Sequence, residues 1–410
     1  MKKKLFFLAV AAVALASCSN DETIASQANS EANAISFRPL VNGMTRAADI
    51  NATSLQTSGF TVYANLYNTS TNYFPETAFK WNSTTSTFNS DNKYYWPSDG
   101  ALDFFAYANS KPEGHATQVT HTALTKVFTV TPDADAQYQT DLVVAFTTNK
   151  SKTGTYDPSD VYNASSGSKT SKYGANGVPL NFRHAGCKVA IKLYNSNKDN
   201  IDISVRDASI CNVKNSGVFT FADATTDVNN ADGTGTVLTL STWADVVSPA
   251  TTTTTYTQTD ASTSKYNVVV GSAAQVGQDW ILIPQSFTYA TTYSGSNVDD
   301  AFNGPCIKVN LKIQNHTNNA YIVGAASGTN EGYVTAMWPL KSTPDAWAIG
   351  KKYTYTVDLA GGGYYPANTA AGTGDALDPI LDGAEIKFVT VTVDGWETEG
   401  TSGGVYNTGL

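Results

Sequence analysis

The stretch CIKVNLKIQ, residues 306–314, decides the fold class. Its apolar residues Ile307, Val309, Leu311 and Ile313 fall on every second position, with Lys308, Asn310 and Lys312 between them. Successive side chains of a strand point to opposite faces, so this spacing makes one apolar face and one wet face. That is a strand of an antiparallel sheet packed on a core from one side.

The same period recurs along the chain. In KVAIKLYN (188–195) Val189, Ile191 and Leu193 face one way while Lys188 and Lys192 face the other. KYTYTVDL (352–359) sets Tyr353, Tyr355, Val357 and Leu359 against Thr354, Thr356 and Asp358. IKFVTVTVDGW (386–396) sets Val389, Val391 and Val393 against Phe388, Thr390 and Thr392. No long amphipathic helix interrupts the pattern. Thr, Ser, Asn, Gly and Tyr dominate, which suits strands joined by polar turns. With 41% hydrophobic residues, 22 Tyr and 7 Trp, the chain can form packed cores. At 410 residues it is long enough for two of them. The expected architecture is all-β, with β-sandwich domains as the natural solution.

The first residues read as a processing segment. MKKK supplies a positive stretch, and LFFLAVAAVALAS (5–17) an apolar one too short to span a bilayer comfortably. LASC, ending at Cys18, resembles a bacterial lipoprotein signal, so residues 1–17 are expected to be removed and Cys18 lipidated. Residues 18–34 are polar and read as a flexible tether. Three cysteines then remain, Cys187, Cys211 and Cys306, with no C-x-x-C pair for a zinc or redox site. An odd number in an exported chain permits one disulfide and one free thiol, and no pairing is assigned. Cys187 shares parity with Val189 and Ile191, as a buried, inert thiol would.

A polar, aperiodic stretch at 148–177 marks the expected boundary between an N-terminal domain, 35–178, and a C-terminal domain, 179–410. A net charge of −9 and only 15% charged residues give no reason to expect nucleic acid or an anionic membrane surface as partner.

Chemistry-bearing motifs are scarce. There are four histidines. His115 and His121 read as residues of a solvated polar loop, and His184, just ahead of a strand, as a hydrogen-bonded structural residue. No nucleophile elbow, H-E-x-x-H, Walker or dinucleotide-binding pattern is present. The acids near 133 and 297 lack an EF-hand pattern. No catalytic residue, cofactor or metal site is assigned, and the chain is not expected to be an enzyme. A polysaccharide-cleaving carboxylate pair would be the third-ranked alternative.

Several segments in order resemble one family: KYYWPSDGALDFFAYA (93–108), DLVVAF (141–146), VPLNFRHAGCKVAIKL (178–193), WILIPQSF (280–287) and GKKYTYTVDL (350–359). With LASC and IKFVTVTVDGW, they resemble the fimbrillin family of Bacteroidales, the subunits of type V pili and their relatives. The resemblance implies two tandem β-sandwich domains of transthyretin-like or Greek-key type after the lipoprotein signal and tether.

It also gives meaning to ISFRPLVNGMTRAADI (35–50). Ile35, Phe37, Leu40 and Val41 read as an apolar strand, although Pro39 interrupts it, and Arg46 follows among small and polar neighbours. The resemblance implies that an arginine-specific protease cuts between Arg46 and Ala47. The segment 35–46 is then lost as a plug, and a strand from another fimbrial subunit fills the groove. Arg38 is a competing cleavage position, but it precedes Pro39. The candidate donor strand holds Phe388, Val389, Val391 and Val393; the residues beyond Trp396 make a poor one. The protein would then be a shaft subunit, or a tip or accessory subunit that accepts a strand without giving one.

The implied function is that of a fimbrial subunit serving adhesion. Its lipid-anchored precursor would sit in the outer membrane and its mature form in an extracellular fimbrium. The alternative is a surface-anchored lipoprotein or tip adhesin that binds glycan or host protein without polymerising.

Overall fold

A computed structural model of the chain describes residues 34–41, 50, 52–84, 87–109, 114–150, 178–221, 242–245, 253–257, 266–268, 273–287, 305–340, 346–365, 380–381 and 390–396. Strands are their dominant regular element. The first are β1 (Phe37–Val41), β2 (Phe60–Leu66), β3 (Asn72–Asn82), β4 (Thr87–Asn89), β5 (Leu102–Asn109), β6 (Val119–His121), β7 (Val127–Val130), β8 (Leu142–Lys150) and β9 (Val178–His184).

All of these but β6 and β7 close into a barrel in the order β1-β4-β3-β2-β5-β8-β9. Two strands turn its corners. β3 pairs with β2 over Asn72–Phe79 and with β4 over Lys80–Asn82. β9 pairs with β1 over Val178–Phe182 and with β8 at Arg183 and His184. Closure removes the unpaired edges an open sheet would present. The interior is aromatic, with Phe37, Phe60, Phe74, Phe79, Phe104 and Phe182 in one cluster. A short helix, α1 (Ala52–Ser58), leads into β2. Gly59 ends it at φ 75°, with its N–H on the Leu55 carbonyl at 2.8 Å. A Cβ there would stand 2.4 Å from the Phe79 carbonyl oxygen, so the turn requires glycine.

The second half supplies β10 (Cys187–Tyr194), β11 (Ile201–Lys214), β12 (Gly217–Thr220), β13 (Thr242–Asp245), β14 (Thr253–Thr257), β15 (Tyr266–Val268), β16 (Ala274–Gln275), β17 (Trp280–Leu282) and β18 (Gln285–Ser286). After these come β19 (Cys306–Asn315), β20 (Tyr321–Val323), β21 (Val334–Pro339), β22 (Ala346–Trp347), β23 (Lys351–Asp358) and β24 (Thr390–Gly395). One sheet runs β16-β10-β23-β24 with β17 also on β10; another runs β14-β11-β19-β20 with β15 on β11 and β21 on β19. They share one core, in which Val189, Ile191, Tyr353 and Tyr355 meet Val205, Ile210, Val309 and Leu311. The alternation in CIKVNLKIQ puts Ile307, Val309, Leu311 and Ile313 into that core. Cys187 is also there, its thiol donating to the Leu282 carbonyl at 3.4 Å.

The chain crosses from the barrel to this second core at Ala185–Gly186. A further sheet, β13-β12-β7-β6, takes strands from either side of the expected division at 178/179. It exists because the outer face of the barrel is also apolar. Tyr63, Phe105, Leu142, Val144 and Phe146 pack there against Phe128, Phe219 and Phe221.

One reading needs correction. His121 is not a solvated loop residue. It ends β6, its ring stacks on Phe128 with centroids 4.6 Å apart, and its Nε2 lies 3.1 Å from the Glu76 carboxylate. Apolar contact on the ring face and an acid at its edge account for its low exposure. His115 stacks on Tyr138 at 3.6 Å.

Candidate functional site

β1 and its seat form the candidate site. β1 runs parallel to β9 over five register pairs, Phe37↔Val178 to Val41↔Phe182, and meets β4 antiparallel at Phe37↔Phe88. The Ser36 carbonyl accepts from the Val178 N–H at 2.8 Å, and Ile35 donates its N–H to the Tyr94 carbonyl at 2.7 Å. Apolar parity aims Ile35 and Phe37 inward. Phe37 is 3% exposed, and its ring meets Phe79 at 4.8 Å, Phe104 at 5.2 Å and Phe60 at 6.3 Å, all edge to face. This ring occupies the centre of the barrel's aromatic cluster. Without β1, a slot lined by rings would open between β4 and β9, flanked by unpaired backbone.

Pro39 fits for a geometric reason. In a parallel ladder one strand uses alternate residues toward a given neighbour. The Ser36–Val178 bond makes the even-numbered residues of β1 the ones that bond to β9. The nitrogen of Pro39 therefore points away from β9, and the described contact with β4 is at Phe37. Proline costs the β9 ladder nothing there. Pro179, opposite Arg38, is placed the same way on β9.

A second anchor lies just downstream. The buried Ile50 donates its N–H to the Asp141 Oδ2 at 2.9 Å, and the same oxygen is 2.9 Å from His184 Nδ1. Asp141 and His184 are fully buried. β1 and Ile50 therefore bracket residues 42–49. Arg46 and Ala47 fall in that interval, outside the described residues; Cys18, ahead of β1, also lies outside them. For Leu40 and Val41 the described fact is their backbone register with Asn181 and Phe182.

A family model described as fimbrillin-like matches residues 45–396. The chain belongs to the fimbrillin-like family. No curated protein matches it. Among solved structures it is similar to a fimbrial protein from Bacteroides vulgatus, with a TM-score of 0.46 and 14% identity over 89% of this chain and 99% of that one. It is also similar to the tip fimbrial protein Mfa3 from Porphyromonas gingivalis, with a TM-score of 0.33 and 10% identity over 83% of this chain and 94% of that one.

In this fimbrillin-like chain the candidate donor segment is split. Phe388 and Val389 lie outside the described residues. Val391 and Val393 belong to β24, in register with Tyr355 and Tyr353 of β23. Among the described residues β24 is the outermost strand of its sheet, so its release would break a single ladder. Its end is held more firmly. Trp396 is 1% exposed, donates its N–H to the Gly350 carbonyl at 2.9 Å, and has the Lys188 Nζ 5.0 Å from its ring centroid.

Sequence reasoning did not single out β9 as the seat of β1, nor Asp141 and Ile50 as an anchor. The alternation Val178, Leu180, Phe182 was a visible signal for β9. Nothing local marks Asp141 as the acceptor for an amide 91 residues away. Among the described residues no group of three His, Cys, Asp or Glu is placed to hold a metal.

Proposed function

We propose that this fimbrillin-like protein is a structural subunit of a cell-surface fimbrium that assembles by donor-strand exchange and serves adhesion. The observation that carries the reading is β1 itself, a five-residue strand, first among the described residues, that seats Phe37 in the core of a closed barrel. In this reading Cys18 anchors the precursor to the outer membrane, and an arginine-specific protease cuts between Arg46 and Ala47. β1 then departs, and another subunit's strand supplies backbone bonds to β9 and apolar side chains to the pocket of Phe37. Ile50, held by Asp141, keeps the new N-terminal stretch attached to the barrel. A head-to-tail contact of this kind does not close on itself and so extends into a filament. β24 is the candidate donor.

The test uses the protein in a host with its surface proteases, as wild type and as Arg46→Ala. Its readouts are the N-terminus of the mature chain and SDS-resistant polymer ladders. A mature chain beginning at Ala47, with ladders lost in the variant, is the expected result. A surface-active chain that keeps lipidated Cys18 and β1 would overturn it.

A second reading, a tip or anchored adhesin that binds glycan or host protein, draws on a groove of about 560 Å³ on the barrel's outer face. Tyr63, Tyr67, Phe105, Asn65, Asn68 and Lys126 line it. At its rim Leu124 holds φ 59° and is 44% exposed, a costly backbone for a bulky residue. Such a mix of rings, amides and a cation suits a polar ligand. Loss of adhesion in Tyr67→Ala with ladders intact would favour this reading.

A further inference from the structure

Cys211 and Cys306 are directly opposite each other, as the last register pair of the β11–β19 ladder. Both are fully buried and both are reduced in this structure. Opposed residues of an antiparallel pair have Cα atoms about 4.5 or 5.5 Å apart, and both separations fall within the range a disulfide bridges. The Cys211 thiol is near enough to the Cys306 thiol to raise its pKa. The third cysteine is excluded by parity. Cys187 faces the shared core from β10, whereas Cys211 and Cys306 alternate with core residues Ile210 and Ile307 and so lie on the other face of their sheet.

We propose that Cys211 and Cys306 form a cross-strand disulfide when the chain folds outside a reducing compartment. Two S–H bonds break and one S–S bond forms. Two protons pass to water, and two electrons pass to an oxidant of the disulfide class, either oxidised glutathione or a disulfide-bearing oxidoreductase. The hydrogen bond with Cys211, and then burial, push the Cys306 thiol well above its ordinary range. The reactive thiolate is therefore scarce once the sheet has closed, and oxidation belongs to folding rather than to the finished protein.

The position has a structural consequence. β11 and β19 are the central strands of their sheet. Beyond Cys211 the register of β11 with β14 shifts between Ile210 and Val213, and Asn212 takes φ 59°. The bond would close the ladder where β11 breaks step. It would staple a sheet that does not contain β24, so the staple would survive departure of that strand.

The experiment refolds the full chain from urea in a buffer of oxidised and reduced glutathione, blocks free thiols, and maps peptides without reduction. The expected product is a linked pair of peptides carrying Cys211 and Cys306, lighter by two hydrogens, with Cys187 blocked as a thiol. Cys187→Ala should leave the link in place. Blocked thiols at both Cys211 and Cys306, or a link to Cys187, would overturn the proposal.

The occurrence of the bond in the cell rests on the exported reading above, and the same mapping on chains harvested from the host surface separates the two. Linked chains there complete the proposal. Reduced thiols on those surface chains, with a link formed on refolding, would overturn oxidation in the cell while leaving both the pairing and export intact.

Discussion

His184 lies flat against Trp396, with ring centroids 4.1 Å apart and planes 8° from parallel. One residue ends the last strand of the barrel, and the other follows β24 of the second core. The contact therefore joins the barrel to the end of β24 in the second core. His184 also binds Asp141, which holds Ile50, so the anchor after Arg46 and the end of β24 share one buried network.

Trp396→Ala should lower stability by about 3–5 kcal/mol, as for other buried large-to-small changes. A double-mutant cycle with His184→Ala should show a coupling of about 0.5–1.5 kcal/mol for the ring pair. Urea unfolding of the four proteins checks it. Strict additivity would mean that the stacking does not link the two halves.

Phe37→Ala should cost about 3–5 kcal/mol because it empties the centre of the aromatic cluster. Ser36→Ala, on the half-buried face of the same segment, should change stability by no more than about 0.5 kcal/mol. The variant lacking Phe37 should also lose β1 protection first in amide exchange. Equal effects of the two substitutions would mean that β1 is not seated through its apolar face.

Alkaline pH should weaken the fold. The Tyr107 phenol, 3.3 Å from Glu76, is pushed up from 10.0 to about 12, first by burial and then by that carboxylate. The unfolded chain loses this proton near 10 while the folded chain keeps it until about 12. Between those values the unfolded state binds fewer protons, so stability falls as pH rises through the window. Burial raises Tyr73 and Tyr353 in the same direction. The urea midpoint should therefore drop from pH 9 to pH 11.5, and Tyr107→Phe should flatten part of that drop. An unchanged slope in the variant would remove Tyr107 from the explanation.

Period-two alternation alone determined that this chain is built of strands and which residues face a core. Val309, Tyr353 and Phe37 could each be assigned a buried face from their neighbours, because backbone pleating fixes side-chain direction locally. Strand partners were not legible. β1 pairs with β9, which begins 137 residues after β1 ends (Val41 to Val178), and nothing in ISFRPLV names VPLNF as its neighbour. Backbone bonds are the same for every sequence, so partner choice falls to the packing of whole faces and the paths of connecting segments. The same holds for Cys211 and Cys306. Their presence was plain in the chain, but only the register of β11 on β19 set them opposite one another. Pro39 shows both sides: the sequence marked it as a flaw in a strand, and the tertiary structure turned its missing N–H to the side where the β9 ladder does not need one.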